Sequence, residues 1–482
     1  MKKLVTLSFF VLFLVASNLS ARPTSKLTAQ QKSWLAKGYR FEKAGWIYLH
    51  IQGSPEERGF QHGYLLAPEI RESLLELRKR WDYFSAMDWA YFVDAAGKMF
   101  TPRVDPEDLA EMQGIVEGMD AAGDTVTLNE IVGLNGYMEL MDYWWPKVAD
   151  SLRISTPKPK QESCSSFIAT GSMTADGKIV LGHNTMGGYD EPFCNVIIDI
   201  KPDSGYRILM QTFPGFISSG TDFFITSAGL VGSETTIGAF SGFDPTGVPE
   251  FCRMRHATQY ASSIREWCKM MEKGNNGGYA NAWLLGDIKT NQIARLELGL
   301  KYVGFQIKSG GYFVGSNLVK NLKILRFETT EQETNIKYSS VARDVRWHQL
   351  MKKYAGKINI ALAEKFEADH YDTYLNKIDP DQRTLDGHSE LDARLDGGPG
   401  RPYAPWGTLD GKVVDANLAK HMSFYARWGN ADGMPFYAKK FLAEHPQYRW
   451  MTGLMKDRPT EPWVKFTVGE KPPMTKKTVS AK

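Results

Sequence analysis

Cys164 stands at a boundary where a cysteine could do covalent chemistry. It follows a polar, proline-containing stretch, Ser155-Thr156-Pro157-Lys158-Pro159-Lys160-Gln161-Glu162-Ser163, of the kind found on exposed connections. It also opens a strand-like run, Cys164-Ser165-Ser166-Phe167-Ile168. If the Ser163–Cys164 bond is broken, the new chain begins with a residue that carries both a thiol and a free α-amine. An α-amine titrates near about pH 8, which suits a general base working around neutrality. It would take the thiol proton directly or through a water, and the thiolate would attack a carbonyl to form an acyl-enzyme. A second proton transfer would release the amine or alcohol, and water would then free the acid. The four residues around Cys164 do not by themselves separate this reading from an inert, buried cysteine at a strand start.

Other chemistries lack their motifs. There is no G-x-S-x-G elbow, no phosphate-binding G-x-x-x-x-G-K-[ST], no G-x-G-x-x-G and no H-E-x-x-H. Gly407-Thr408-Leu409-Asp410-Gly411-Lys412-Val413 resembles a phosphate loop until its spacing and last residue are compared. The nine histidines are scattered without a close pair at metal-ligand spacing, so neither a metal nor an organic cofactor is expected. With 58 Lys+Arg against 55 Asp+Glu the chain is nearly neutral, which excludes electrostatic nucleic-acid binding as its main business. Hydrophobic residues at 43% and charged residues at 23% are those of a globular chain rather than a disordered one.

The elements that must position Cys164 change texture at that residue. Before it the pattern is helical. Pro55-Glu56-Glu57 opens one segment, Ile70, Leu74, Leu75 and Leu77 recur at helical spacing, Asp105-Pro106-Glu107 opens another, and a third runs over Leu128–Tyr143. Trp81, Tyr83, Trp89, Tyr91, Tyr143, Trp144 and Trp145 fit either a helical core or an apolar groove. After it come strands. Phe167–Thr170 and Ile179–Leu181 read as a hairpin around Asp176-Gly177, followed by Val196–Ile200, Phe223–Thr226 and Leu230–Ser233. A helical stretch, Arg253–Met271, precedes Ala282–Leu285 and Ile293–Leu298, and helix and loop are expected to dominate from about Val341. Helices, then many strands, then helices make an α+β chain rather than an alternating βαβ wind.

Lys2-Lys3, the apolar run Leu4–Ala16 and the small residues to Ala21 have the three regions of a secretory signal peptide. The run is shorter than the roughly 18–20 residues of a membrane span. A secreted or periplasmic protein, bacterial in style and without a stable membrane span, is expected. The division is then 1–21 leader, 22–163 helical N-terminal segment, 164–470 catalytic core and 471–482 basic tail. Cys164, Cys194, Cys252 and Cys268 are too few for a disulfide scaffold, and Cys252 and Cys268 fit either a pair or two buried thiols.

Several motifs in order carry a resemblance. Cys164-Ser165-Ser166, Gly182-His183-Asn184-Thr185-Met186-Gly187-Gly188-Tyr189, Phe213-Pro214-Gly215, Asp222-Phe223-Phe224-Ile225 and Gly229–Thr236 are followed by Asn276–Trp283 with Asp287, Ala393–Asp396 and Trp406–Val413. This set resembles the phospholipase B-like proteins, a branch of the N-terminal-nucleophile hydrolases. Gly53–Gly63 is similar to a segment of the related acyltransferase and acylase proteins. Met186 stands where the family has tryptophan, which bears on the shape of the pocket.

The resemblance implies a four-layer αββα sandwich, self-cleavage between Ser163 and Cys164, fragments that stay associated, and hydrolysis of an acyl amide or acyl ester. Asn281 is the expected oxyanion donor, because a side-chain amide stabilises a developing oxyanion without titrating. His183 and Asn184, on the strand that pairs with the Cys164 strand, are expected to reach the thiol or α-amine. Thr235 and Glu234 are placed to orient the amine. Arg394 either binds the polar end of the substrate or the Cys164 environment, or forms a salt bridge to Asp396 or Asp410. The substrate would be a small acylated molecule, a lipid-like N-acyl amide or a phospholipid. An acyltransferase differs only in the second nucleophile, and a non-catalytic lipid- or envelope-binding protein is the competing class. A glycan or peptide hydrolase using paired carboxylates has no constellation to name.

Overall fold

The computed structural model describes residues 27–155, 164–191, 195–394 and 402–472. The leader, Ser163, Cys194, Asp396 and the tail beyond residue 472 lie outside the described residues, as does most of the linker.

Two sheets form the centre. The strands are β1 (Tyr39–Lys43), β2 (Trp46–Gly53), β3 (Ser165–Thr170), β4 (Val180–Gly188), β5 (Val196–Pro202), β6 (Ile208–Thr212), β7 (Phe223–Thr226), β8 (Leu230–Thr236) and β9 (Asn281–Asp287). They continue as β10 (Gln292–Leu298), β11 (Val303–Lys308), β12 (Gly311–Gly315), β13 (Tyr371–Asp372), β14 (Lys377–Ile378), β15 (Trp406–Asp415), β16 (Ser423–Trp428) and β17 (Val464–Thr467). One sheet has the order β1-β2-β5-β6-β7-β8-β9-β10-β11, the other β12-β3-β4-β15-β16-β17. Neighbours are antiparallel except β2 and β5, which run parallel.

The sheets stack face to face, with β3 and β4 against β8, and β3 and β12 against β9. Helices Glu250–Tyr260 and Ile264–Glu272 cover the outside of the nine-stranded sheet. Helices Ser339–Lys353 and Ile360–Glu367 cover the six-stranded one. The result is the αββα sandwich. Every residue of β3 and β4 is buried, because each central strand has a covering layer on both faces and apolar/polar alternation is lost.

The segment before Cys164 is not helical throughout. Within residues 39–53 lie β1 and β2, and β2 is hydrogen-bonded between the edge strand β1 and β5 of the nine-stranded sheet. Helix Pro55–Leu65 follows, opened by a capping box between Ser54 and Glu57 with Pro55 in the first turn. It crosses helix Pro106–Ala121 at glycines. A Cβ on Gly59 would come within 1.9 Å of the Glu111 carbonyl oxygen, and one on Gly63 within 2.1 Å of that of Ile115. That close approach requires glycine and brings Arg58 of one helix onto Glu111 of the other, 2.7 Å away.

The expected Leu128–Tyr143 helix is broken: α-helix Leu128–Asn135 gives way to a π-turn at Glu139–Trp144 before helix Trp145–Leu152. Helix and loop make up most of the described chain from Val341, but that stretch also supplies β15, a ten-residue central strand, with β16 and β17 beyond it. Trp81, Tyr143 and Trp145 are core residues. Tyr83 stacks on Trp450 with ring centroids 3.8 Å apart. Cys252 and Cys268 are free and buried, not paired.

Candidate active site

The β3–β4 hairpin anticipated from sequence forms, with Ser165 opposite Asn184 and Ser166 opposite His183. Alternation along these strands sorts the side chains between layers. Ser165 faces outward and its Oγ accepts from Trp347 Nε1 at 2.9 Å. Ser166 faces the other sheet, 2.7 Å from Ser233 Oγ on β8, and donates to the Gly182 carbonyl.

Cys164 precedes this strand. It is buried, its thiol is free, and its backbone is left-handed with φ 77°, a conformation that costs a non-glycine residue about 1–2 kcal/mol. Arg343, from helix Ser339–Lys353, donates to the Cys164 carbonyl at 2.6 Å and to Asn317 Oδ1 at 2.7 Å. Asn317 Nδ2 in turn donates to the Thr236 carbonyl at 2.7 Å, and Thr236 is the register partner of Asn281. A chain of hydrogen bonds thus runs from the Cys164 carbonyl to the backbone of Thr236, the residue opposite Asn281, across both sheets.

Burial pushes the Cys164 thiol well above the usual cysteine range, and the charges of Glu234 and Asp222 push the same way. A backbone hydrogen bond from Met186 and the Lys412 cation oppose them. Asp222 and Glu234 form a buried carboxyl pair beneath Tyr279, whose hydroxyl donates to Asp222 Oδ2 at 2.6 Å and lies 3.3 Å from Glu234 Oε2. Burial raises Asp222 to about 6. It raises Glu234 well above the carboxylate range, helped by the Asp222 charge and the hydrogen bond between the two. Two carboxyls in one dry pocket hold a proton between them, because both cannot ionise cheaply. Cys164, Asp222 and Tyr279 all have positive φ, so backbone strain concentrates here.

The expected residues divide into two groups. Asn281 is buried at the start of β9, and both its Nδ2 and its Oδ1 lack a hydrogen-bond partner among the described residues. Thr235 Oγ1 is likewise without a partner and faces Gly315 of β12, where an added Cβ would lie 2.6 Å from it. His183 points into the space between the sheets, its Nε2 2.9 Å from the Glu234 carbonyl. That contact assigns the proton to Nε2 and leaves Nδ1 an unpartnered acceptor among the described residues. Burial, then the Lys412 charge, holds this imidazole neutral, well below the usual histidine range.

Asn184 and Arg394 are placed elsewhere. Asn184 lies on the opposite face of β4 from His183, where its Nδ2 donates to the carbonyls of Glu367 and Leu385 at 2.7 and 3.0 Å. It therefore braces the outer helical layer and does not reach the thiol, a consequence of the two-residue period of a strand. Arg394 pairs with Asp392, Asp381 and Asp379 at 2.7, 2.7 and 3.0 Å. Asp410, its expected partner, instead holds Lys412 at 2.5 Å and accepts from Gln211.

Arg343 and Tyr279 were not singled out as site residues, nor were Asp222 and Lys412. The last three sit inside motifs visible in the sequence. Arg343 carries no local signal, because its role depends on a helix far along the chain packing over β12. A surface cavity of about 270 Å³ lined by Glu69, Glu72, Glu191, Lys456 and Asp457 includes none of the residues around Cys164.

Residues 107–310 match the family model described as Phospholipase B. That span begins before Cys164 and takes in His183, Thr235 and Asn281. The chain is 28% identical over 287 residues to an uncharacterized protein of Archaeoglobus fulgidus, covering 57% of this chain and 47% of that one. It is 27% identical over 265 residues to human Phospholipase B-like 1, covering 50% and 46%. Among solved structures, penicillin V acylase from Agrobacterium tumefaciens aligns at 13% identity and TM-score 0.33, over 55% of this chain and 83% of that one. This chain spans about half the length of the curated relatives it matches. Over residues 107–310, from helix Pro106–Ala121 through β11, the chain is similar to the phospholipase B-like proteins.

Proposed function

We propose that the protein is an exported, self-processing hydrolase of acyl amide or acyl ester bonds that works through an acyl-Cys164 intermediate. One observation carries the reading: a buried cysteine immediately precedes β3 and is linked through Arg343 and Asn317 to Thr236, the register partner of Asn281, whose amide has no hydrogen-bond partner among the described residues. The phospholipase B-like relationship supports an acyl bond as the target.

Processing begins with attack of Cys164 Sγ on the Ser163 carbonyl carbon. The bond from that carbon to the Cys164 nitrogen breaks, the nitrogen takes up a proton, and a thioester joins the two residues. Water then hydrolyses the thioester to a Ser163 carboxylate and a free Cys164 thiol. In the uncut chain, burial and the negative charge of the Asp222–Glu234 pair keep the thiol protonated. Once the α-amine is free, the same carboxyls act in its favour, since negative charge that opposes a thiolate stabilises an ammonium. The amine takes the thiol proton, the thiolate attacks the acyl carbonyl, and Asn281 Nδ2–H donates to the oxyanion. Neutral His183, through Nδ1, and Thr235, through Oγ1, are acceptors that orient the amine. The substrate is a small acylated molecule, a lipid-like N-acyl amide or a phospholipid. An acyltransferase would use the same acyl-enzyme.

After cleavage the preceding segment stays bound, because β2 is hydrogen-bonded to β5 along its length and Arg58 is tied through Glu111 to Arg255 in the core.

Intact-mass spectrometry of the purified protein beside Cys164→Ala tests the reading. Two fragments in the wild type, one beginning at Cys164, and a single chain in the variant are expected. Acyl turnover in the variant should fall by on the order of 10⁴-fold or more. One uncut chain in both would overturn the mechanism and favour a lipid- or envelope-binding protein on the same sandwich.

A further inference from the structure

Far from Cys164 along the chain, four side chains converge that no sequence pattern joined. His370 immediately precedes β13, Asp386 and His388 lie in the connection between β14 and β15, and Asp432 follows β16. One ligating atom from each lies within 4.8 Å of all the others. His370 Nε2 is 3.3 Å from Asp386 Oδ2 and 3.9 Å from Asp432 Oδ2, and His388 Nε2 is 3.8 Å from Asp386 Oδ2. In a tetrahedral site with bonds of about 2.0–2.2 Å, ligand atoms sit roughly 3.3–3.6 Å apart, so small side-chain adjustments suffice.

Three observations separate this cluster from an ordinary group of charges. The Nε2 atoms of His370 and His388 are both buried and, beyond their ion-pair approach to Asp386 Oδ2, neither makes a hydrogen bond among the described residues. His388 is fully enclosed, and its other nitrogen, Nδ1, is held by Glu390 Oε1 at 2.9 Å. A carboxylate on the far nitrogen is the arrangement that fixes the orientation of a metal-bound imidazole. Asp386 is fixed by the Ala431 and Asp432 backbone amides at 3.3 and 2.8 Å, while the partial exposure of His370 and Asp432 leaves a route from solvent.

We propose that His370, Asp386, His388 and Asp432 form a binding site for a divalent first-row transition ion of the zinc type, with Glu390 positioning His388. Two imidazoles and two carboxylates are a borderline donor set that suits zinc better than calcium or magnesium, which take all-oxygen shells. The site is structural. Leu385 accepts from Asn184, Gly387 accepts from Thr408, and the Gly387 Cα lies where a Cβ would be 3.3 Å from Met186 Sδ. An ion on Asp386 and His388 would therefore clamp this connection against β4, the strand that carries His183. This revises the expectation that the scattered histidines form no metal site.

The test uses untagged, full-length protein stripped with chelator and titrated with Zn²⁺, Ca²⁺ or Mg²⁺ alone. One Zn²⁺ per chain is expected, with at least tenfold weaker Ca²⁺ and Mg²⁺ binding. Co²⁺ in place of Zn²⁺ should give the visible absorption of a four-coordinate centre. His388→Ala and Asp432→Asn should each lose the ion, whereas His348→Ala, at an exposed histidine outside the cluster, should keep it. A folded wild-type chain that takes up no Zn²⁺, or binding that survives in Asp432→Asn, would overturn the proposal even if His388→Ala fails to fold.

Discussion

The Arg58–Glu111–Arg255 cluster and the Cys164 cluster are both sealed from solvent, yet their polar atoms are used differently. In the first, Glu111 Oε2 accepts from Arg58 Nε and Nη2 at 3.0 and 2.7 Å and from Arg255 Nη2 at 2.9 Å, and Oε1 accepts from Arg255 Nη1. The two guanidinium groups also donate to the Gly53 and Ile217 carbonyls, to Glu107 and to Gln259. In the second, Asn281, Thr235, His183, Glu234 and Asp222 each retain at least one buried polar atom without a partner among the described residues. A buried group whose capacity is exhausted can only hold the fold. One with capacity left carries a cost of about 1–3 kcal/mol, which a substrate, a water or a transition state can relieve.

The contrast is broken or sharpened most strongly at Glu111. Replacing it with alanine takes the shared carboxylate from two buried guanidinium groups, leaving Arg58 only the Glu107 carboxylate at 3.1 Å, and a loss of about 3–5 kcal/mol of stability is expected. Urea titration should show the shift, while acyl turnover per folded molecule stays unchanged. The pH dependence follows from the sign of the titration. Burial raises the Glu111 carboxyl, but Arg255 and Arg58 outweigh it and hold the group below its ordinary 4.5. Its contribution is therefore present above about pH 4.5 and is lost as pH falls further. A flat acid limb in the wild type would count against the saturated cluster as a clamp.

Asn281→Ala should do the opposite. Its amide has no partner to lose, so stability should change by less than about 1 kcal/mol, while kcat falls by about 10²–10³-fold, the loss typical of one oxyanion donor. A variant that unfolds but retains its kcat when folded would make Asn281 structural.

Glu139 lies between the two extremes. The π-turn carries it into the interior, where it accepts from Asn276 Nδ2 at 2.5 Å and from the Glu250 amide at 3.2 Å. Burial still raises it to about 7. Because the folded state holds this proton more tightly, stability is highest below about pH 4.5, declines as pH rises towards 7, and is lower by up to about 3 kcal/mol above that. Glu139→Gln should flatten that segment of a denaturation profile taken from about pH 5 to 8. An unchanged slope would show that hydrogen bonds offset the burial.

Much of this was legible locally. The turn residues and apolar runs of β3–β4, β5 and β7 to β10 specify their own strands, whereas β6 was not read, and Pro106 and the Ser54–Glu57 capping box mark helix starts by local hydrogen bonding. β2 was missed because a strand with both faces covered lacks the alternation that announces a half-buried one. β15 was hidden by Gly407, Asp410, Gly411 and Lys412, residues that disfavour strands but are accommodated where Asp410 and Lys412 pair inside the sandwich. Asn184 was misassigned for a different reason: adjacent residues in a strand face opposite layers, and only the placement of β8 and helix Ile360–Glu367 decides which layer is which.

By itself the sequence determined the residue types that can react: a cysteine at a linker-to-strand junction, an amide donor before β9 and a histidine on the pairing strand. Those choices are chemical and local. Tertiary structure alone decided which of them meet. It brought Arg343 onto the Cys164 carbonyl, drew Asp222 and Glu234 beneath one tyrosine, turned Asn184 and Arg394 to other duties, and gathered His370, His388, Asp386 and Asp432 from three connections. Each of those contacts is long-range, set by sheet register and by the packing of one layer on the next, and neither is encoded within a single segment of chain.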